Sequence, residues 1–352
     1  MSYPAVLIPH RFVTARTLTT LIAVMLLVSC NQQAGTGELI RISGPTMGTT
    51  YSVKLRNLPS GLDPDSLQRQ IERILERING SMSTYLEDSE LSRFNRQVST
   101  DWIEVSSETL EVINAAMQTS KMTDGAFDIT VGPLVNLWGF GPHRRDNGIP
   151  SEAHIRAALN KVGYDKIHTR TTAPAIRKDH PKTEVDLSAI AKGYAVDQIT
   201  EHLEKTGVFD YLVEIGGELR AHGMNANGTP WTVGIEKPIS SQKVLHKVVQ
   251  LTDQAMATSG DYRNFFKYKG NRFSHTIHPR TGRPVEHQLA SVTVIGPSSM
   301  IADALATGLN VMGPEIGFEL AEREKIAALF IIREGDSFRT RATAAFAEVI
   351  SQ

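Results

Sequence analysis

From residue 39 to residue 343 the apolar residues repeat with two different periods, and the order of those periods limits what the chain can fold into. Thr50-Tyr51-Ser52-Val53-Lys54-Leu55 alternates, as a half-buried strand does, whereas Leu67, Ile71, Ile74, Leu75 and Ile78 recur at helical spacing within residues 64–78. Residues 108–123 and 151–162 carry the helical period as well, the second opened by Ser151 as a helix cap. A helix over about 189–205 follows, then strands at 211–215, 219–223, 231–236 and 244–252. Helices at 298–311 and 314–325 precede a closing strand pair at 327–333 and 338–343. Near the start, residues 39–58 predict two strands separated by a turn at Ser43-Gly44-Pro45. Strands and helices mix without strict alternation. That favours α+β sheets carrying helices on one face over a parallel βαβ array.

Composition excludes several function classes. The 352 residues, 41% of them apolar, suffice for a large core without crosslinks, and no repeat or low-complexity block interrupts them. A formal net charge of −1 gives no electrostatic footprint for nucleic acid. The P-loop, G-x-G-x-x-G, G-x-S-x-G and H-E-x-x-H patterns are absent.

The first thirty residues read as an address label. Arg11 and Arg16 are the only charged side chains before Glu38, and they precede the unbroken apolar run from Leu21 to Val28. That run is too short to cross a hydrocarbon core, which takes ~20 helical residues, and a basic region followed by a short apolar one reads as a secretory signal. Leu27-Val28-Ser29-Cys30 is similar to the bacterial lipobox, and Cys30 is the single cysteine of the chain, so no internal disulfide exists. The expectation is a signal peptide over 1–29, a polar tether over 30–38 from lipidated Cys30, and a catalytic domain over 39–352. The protein would then be lipid-anchored on the periplasmic or extracytoplasmic side, at the inner membrane in preference to the outer.

Four segments can carry chemistry. In Ala302-Asp303-Ala304-Leu305-Ala306-Thr307, Asp303 and Thr307 share one helix face and offer two hard oxygens suited to Mg²⁺. The plainer reading of the spacing is that Asp303 complements the positive end of a helix opened by Ser298 or Ser299. Glu184-Val185-Asp186-Leu187-Ser188-Ala189-Ile190-Ala191-Lys192 runs from strand end to helix start, where free amides and Lys192 attract anions; an ordinary capped helix with a solvated lysine is the alternative. His275-Thr276-Ile277-His278-Pro279 places two histidines three apart, but Pro279 breaks a helix and a strand would send them to opposite faces. A single histidine acting as general base or phosphate neighbour fits better than a paired metal site. Asp124-Gly125-Ala126-Phe127-Asp128, with Trp138-Gly139-Phe140-Gly141, sets small residues beside aromatics, which suits a flat ring near backbone or simply turn and core.

Taken in order, these segments resemble the ApbE family of FAD:protein FMN transferases. The resemblance begins at Gly44-Pro45-Thr46-Met47-Gly48-Thr49, passes through Ser83-Thr84-Tyr85 and Glu214-Ile215-Gly216-Gly217-Glu218, and includes Ala257-Thr258-Ser259-Gly260-Asp261-Tyr262-Arg263. It spans nearly all of residues 39–350; His278 departs from it, standing where aspartate is common before the proline. The resemblance implies two intertwined α+β lobes of mainly antiparallel sheet with helices, and a flavin bound between them. It implies Mg²⁺-dependent cleavage of FAD, with FMN joined through a phosphoester to a Thr or Ser hydroxyl of a target flavoprotein and AMP released. By position, Met47, Tyr85, Ala126, Phe127, Asp128, Asp186, Lys192 and Ile277 match flavin-contacting places. Asp303, Thr307 and the backbone oxygen of Ala189 match the metal site.

His275 is the candidate general base for the acceptor hydroxyl, with His278 its rival on the other face. The implied partners are FAD, acceptor flavoproteins such as subunits of respiratory redox complexes, and a membrane reached through the lipid. Two other readings stand beside this one: a Mg²⁺-dependent FAD pyrophosphatase giving FMN and AMP, and a flavin-binding lipoprotein without turnover. The complete Asp303, Thr307 and Ala189 set weighs against the last, since a carrier needs no metal at the pyrophosphate.

Overall fold

Eight strands join edge to edge in the order in which the chain makes them, every neighbouring pair antiparallel. They are β1 (Leu39–Thr46), β2 (Thr49–Arg56), β3 (Tyr211–Ile215), β4 (Glu218–His222), β5 (Gln254–Gly260), β6 (Leu289–Gly296), β7 (Ala327–Glu334) and β8 (Ser337–Ala342). The structure is a computed structural model describing Met1 and residues 37–351, except 142–147, 240–243, 261–264 and 269–270. The chain divides into two units, residues 1–36 and 37–352, and the sheet belongs to the second. Cys30 and the expected signal segment lie outside the described residues, as does Asp261-Tyr262-Arg263.

Successive residues of a strand face opposite sides of a sheet, and here both sides are covered. Tyr211, Val213 and Ile215 pack into a core with Leu67, Ile71 and Ile78 of α1 (Pro64–Met82), Val112 and Ile113 of α2 (Ser107–Met122), and Val196 and Ile199 of α3 (Ala191–Lys205). Leu212, between them, joins Leu219, Met256, Trp231, Val249 and Phe346 on the other side, beneath the Trp231–Glu236 and Leu245–Leu251 hairpin and the Ala344–Ile350 helix. The helix side continues through Val292, Val294 and Phe330 against Ala302, Leu305 and Leu309 of α4 (Ser299–Met312). Each such side chain contributes about 1.5–3 kcal/mol on full burial. The apolar stripe expected at 67, 71, 74, 75 and 78 is buried in full. The start of the helix is fixed by local chemistry: Asp63 caps α1 by accepting from Ser66 N at 2.9 Å, and Pro64 occupies the first turn.

The turn expected at Ser43-Gly44-Pro45 is corrected. Those residues continue β1, and the hairpin turns two residues later, at Met47 (φ 47°) and Gly48 (φ 70°). A tight hairpin turn takes positive φ at both central residues. Pro45 is tolerated in the strand because β1 is the edge of the sheet, where an amide donor on the outer side is dispensable.

Between β4 and β5 the ladder stops early. It runs only from Gln254↔Ala221 to Met256↔Leu219, although β5 continues to Gly260. The sheet therefore parts between Glu218 and the end of β5, and the site lies at that parting.

Candidate active site

Two helices meet here, and each supplies an aspartate to the other's N-terminus. α3 begins after Ile190, which provides no capping side chain. Asp303 of α4 fills the role, its Oδ2 accepting from Gly193 N at 3.2 Å, the position an N-cap side chain normally serves. In return Asp197 of α3 accepts from Ser299 N and Met300 N, both at 2.9 Å, and from Ser298 Oγ at 2.7 Å. The approach requires Gly193: a Cβ there would stand 2.3 Å from Ser299 O. Asp303 thus does complement a helix end, but that of α3 and not of its own helix.

A cavity of about 390 Å³ opens beside this crossing. Asp303, Thr307, Ala189 and Lys192 line it, with Glu218 and the Thr258-Ser259-Gly260 end of β5 on the sheet side. Lys192 Nζ sits between two buried carboxylates, 3.2 Å from Glu218 Oε2 and 3.5 Å from Asp303 Oδ2. Glu218 is only 4% exposed and Asp303 only 5%. Burial, opposed by Lys192 and reinforced by Asp303, raises the Glu218 carboxyl above the usual carboxylate range. Burial also raises Asp303, again against Lys192. On Lys192, burial is outweighed by Asp303 and Glu218, which hold the ammonium protonated. Among the described residues no group of three or more His, Cys, Asp or Glu is arranged to hold a metal. A cation here would rest on one carboxylate, one hydroxyl and one carbonyl, the sparse set that suits Mg²⁺ completed by water and phosphate oxygens.

The remaining wall comes from segments far apart in sequence. Tyr85, 66% exposed, stands at the cavity, as do Ala126, Phe127 and Asp128. Asp124 (φ 50°) and Gly125 (φ 75°) reverse the chain before Ala126. The Asp128 carboxylate is fully engaged inward, accepting from Thr130 N (2.7 Å), Thr130 Oγ1 (2.6 Å) and Tyr164 N (2.9 Å). Asp186 accepts from Ser188 N at 2.9 Å and Ser188 Oγ at 2.5 Å, a turn that leads into α3. His275 and Ile277 line the cavity, the His275 ring edge-on to Phe140 at 6.3 Å between centroids. His278 does not line it; its Nδ1 accepts from Arg280 N at 3.1 Å, and burial followed by the Arg280 charge lowers its basicity. Trp138 ties the two segments together, donating from Nε1 to Gly282 O at 2.7 Å and stacking on Phe273.

Of the candidate flavin, metal and general-base residues, the structure brings together all but Met47 and the rival base His278 at one cavity, while Cys30 lies outside the described residues. Met47 lies at the β1–β2 turn, packed against the helix-side core and outside the cavity lining. Two residues at the crossing were given no role by the sequence: Glu218 and Asp197. A glutamate directly after a Gly-Gly turn was the available signal for the first. Asp197 offered none, because a cap supplied by another helix has no local spacing.

The molecule is of an α+β class whose site lies where an antiparallel sheet parts beneath two crossed helices. Residues 47–330 match the model of the ApbE family. The chain is 44% identical to the FAD:protein FMN transferase of Vibrio cholerae, over 95% of this chain and 99% of that protein. It is 39% identical to that of Escherichia coli K12, over 91% and 93%. Its fold superposes on the flavin transferase ApbE of Vibrio cholerae with a TM-score of 0.83, at 44% identity, covering 89% of this chain and 99% of the other. The apo flavinyl transferase ApbE of Pseudomonas stutzeri gives 0.83 at 41% identity, covering 90% and 98%. The chain belongs to the ApbE family.

Proposed function

We propose that this protein is a FAD:protein FMN transferase. An acceptor Thr or Ser oxygen attacks the phosphorus of the FMN half of FAD, the bridging P–O bond breaks, AMP departs with the bridging oxygen, and the hydroxyl proton passes to a base. The observation that carries the reading is Lys192 held between Asp303 and Glu218 at the wall of the cavity. A fixed ammonium at a helix N-terminus is what a pyrophosphate needs as negative charge develops on the leaving group.

Asp303, Thr307 and the Ala189 carbonyl would hold Mg²⁺, which when bound supplies Lewis-acid neutralisation of the phosphate oxygens. Tyr85, Ala126, Phe127 and Ile277 give the flavin an aromatic and apolar wall, Asp186 a polar edge, and Asp128 fixes the 128–130 turn that carries this wall. His275 takes the acceptor proton. Cys30 carries a lipid that holds the domain outside the cytoplasm; among the described residues no helix is long and apolar enough to cross a membrane.

The test is the intact mass of an acceptor flavoprotein after incubation with the enzyme, FAD and Mg²⁺. A gain of one FMN phosphoester, with AMP released in equal amount, is expected. FMN and AMP free in solution with no mass gain would make the enzyme a pyrophosphatase, and unchanged FAD would make it a carrier.

A further inference from the structure

Lys192 is the least confined member of the Lys192, Glu218 and Asp303 cluster, and its place there needs a cause. It keeps 26% of its side-chain surface exposed, against 6% for Glu218 and for Asp303, and it reaches the site on a flexible stem from the first turn of α3. In the ligand-free arrangement two carboxylates flank the ammonium. Once Asp303 ligates a divalent cation, it is a shared and weakened partner for Lys192, and the cation itself repels the ammonium. A second anion must then fix the lysine.

Glu218 is built for that place. It opens β4 directly after Gly216 (φ 63°) and Gly217 (φ 113°), a two-glycine turn pressed against β2, where a Cβ on Gly216 would stand 2.9 Å from Thr49 Cγ2. Its neighbour on the same face of β4, Arg220, pairs with Asp197 of α3 at 3.3 Å, so the strand grips α3 at two points. The Glu218 carboxylate is buried and held on a rigid element. We propose that Glu218 is a positioning residue that keeps the Lys192 ammonium aimed at the FAD pyrophosphate while Asp303 is engaged with the metal. In this role Glu218 acts through Lys192, to which it is paired at 3.2 Å. The role rests on the transferase reading.

A double-mutant cycle on the full protein tests it, using Glu218→Gln, Lys192→Met and the pair, with FMN transfer and FAD affinity (flavin fluorescence, with Mg²⁺) both measured. Glu218→Gln is expected to lower kcat by about tenfold or more, with KM and the FAD dissociation constant within about threefold of wild type. In the Lys192→Met background the same change is expected to cost less than about twofold, because residues acting as a unit are not additive. Should Glu218→Gln not fold, Glu218→Asp carries the cycle: it keeps the charge, and its partial loss of kcat should vanish once Lys192 is gone. Multiplicative losses in the double variant, a wild-type kcat in Glu218→Gln, or loss of FAD binding in step with rate would each overturn the positioning role. Failure of the wild-type protein to transfer FMN would instead overturn the transferase reading.

Discussion

Asp303 has two duties that substitution can separate. Its carboxylate caps α3 through Gly193 N and faces the cavity as the one acidic candidate metal ligand. Asp303→Asn keeps an acceptor for the amide but loses the charge, so Mg²⁺-dependent transfer should fall about a hundredfold or more, in line with the several kcal/mol of Lewis-acid stabilisation, with little change in folding. Asp303→Ala should lose activity and also about 1 kcal/mol of stability, the usual cost of a missing cap. Transfer assays and denaturant unfolding on both variants check this. His275 and His278 separate similarly. His275→Ala should slow single-turnover transfer by about 10²–10⁴-fold with FAD affinity retained. His278→Ala, outside the lining, should transfer at close to the wild-type rate. A wild-type rate in the His275 variant would remove it from the chemistry.

At the scale of elements, the site depends on the α3–α4 crossing more than on either helix alone. Asp197 accepts hydrogen bonds from two α4 amides and the Ser298 hydroxyl, and pairs with Arg220. Asp197→Ala would leave these donors and a part-buried guanidinium without their partner, and the expected loss is about 2–4 kcal/mol, a cap plus charged hydrogen bonds. Because α4 carries Asp303 and Thr307, activity should fall too, and FAD should restore part of the thermal stability by mass action. Thermal melts with and without FAD measure both; an unchanged melting temperature would show that the crossing does not depend on Asp197. The elements themselves were largely legible. Residues 211–215 and 231–236 emerge as strands with the expected bounds, since period two is a property of the local sequence. The first hairpin was not, because Gly44-Pro45 reads as a turn until the edge position of β1 is known.

For the whole molecule, residues 37–352 form a unit of their own, distinct from residues 1–36. A chain beginning at Gly37 should therefore fold, remain soluble and transfer FMN, whereas the full-length chain should partition with membranes through Cys30. Cys30→Ser should move the full-length protein to the soluble fraction without acylation; an acyl group persisting on that variant would place the anchor elsewhere. The sequence by itself determined the mixed α+β character, the apolar stripes of the helices and the identity of almost every cavity-lining candidate. Periodicity and short colinear motifs are local properties, and those segments carry them. Only the tertiary structure decided that β4 and β5 part beyond Leu219↔Met256, that α3 and α4 exchange aspartates, and that Glu218 shares Lys192 with Asp303. Those contacts join residues on different elements, about a hundred positions apart where α3 meets α4. What places them is burial on both faces of one sheet, a constraint that acts on the assembled fold and leaves no periodic trace in the chain.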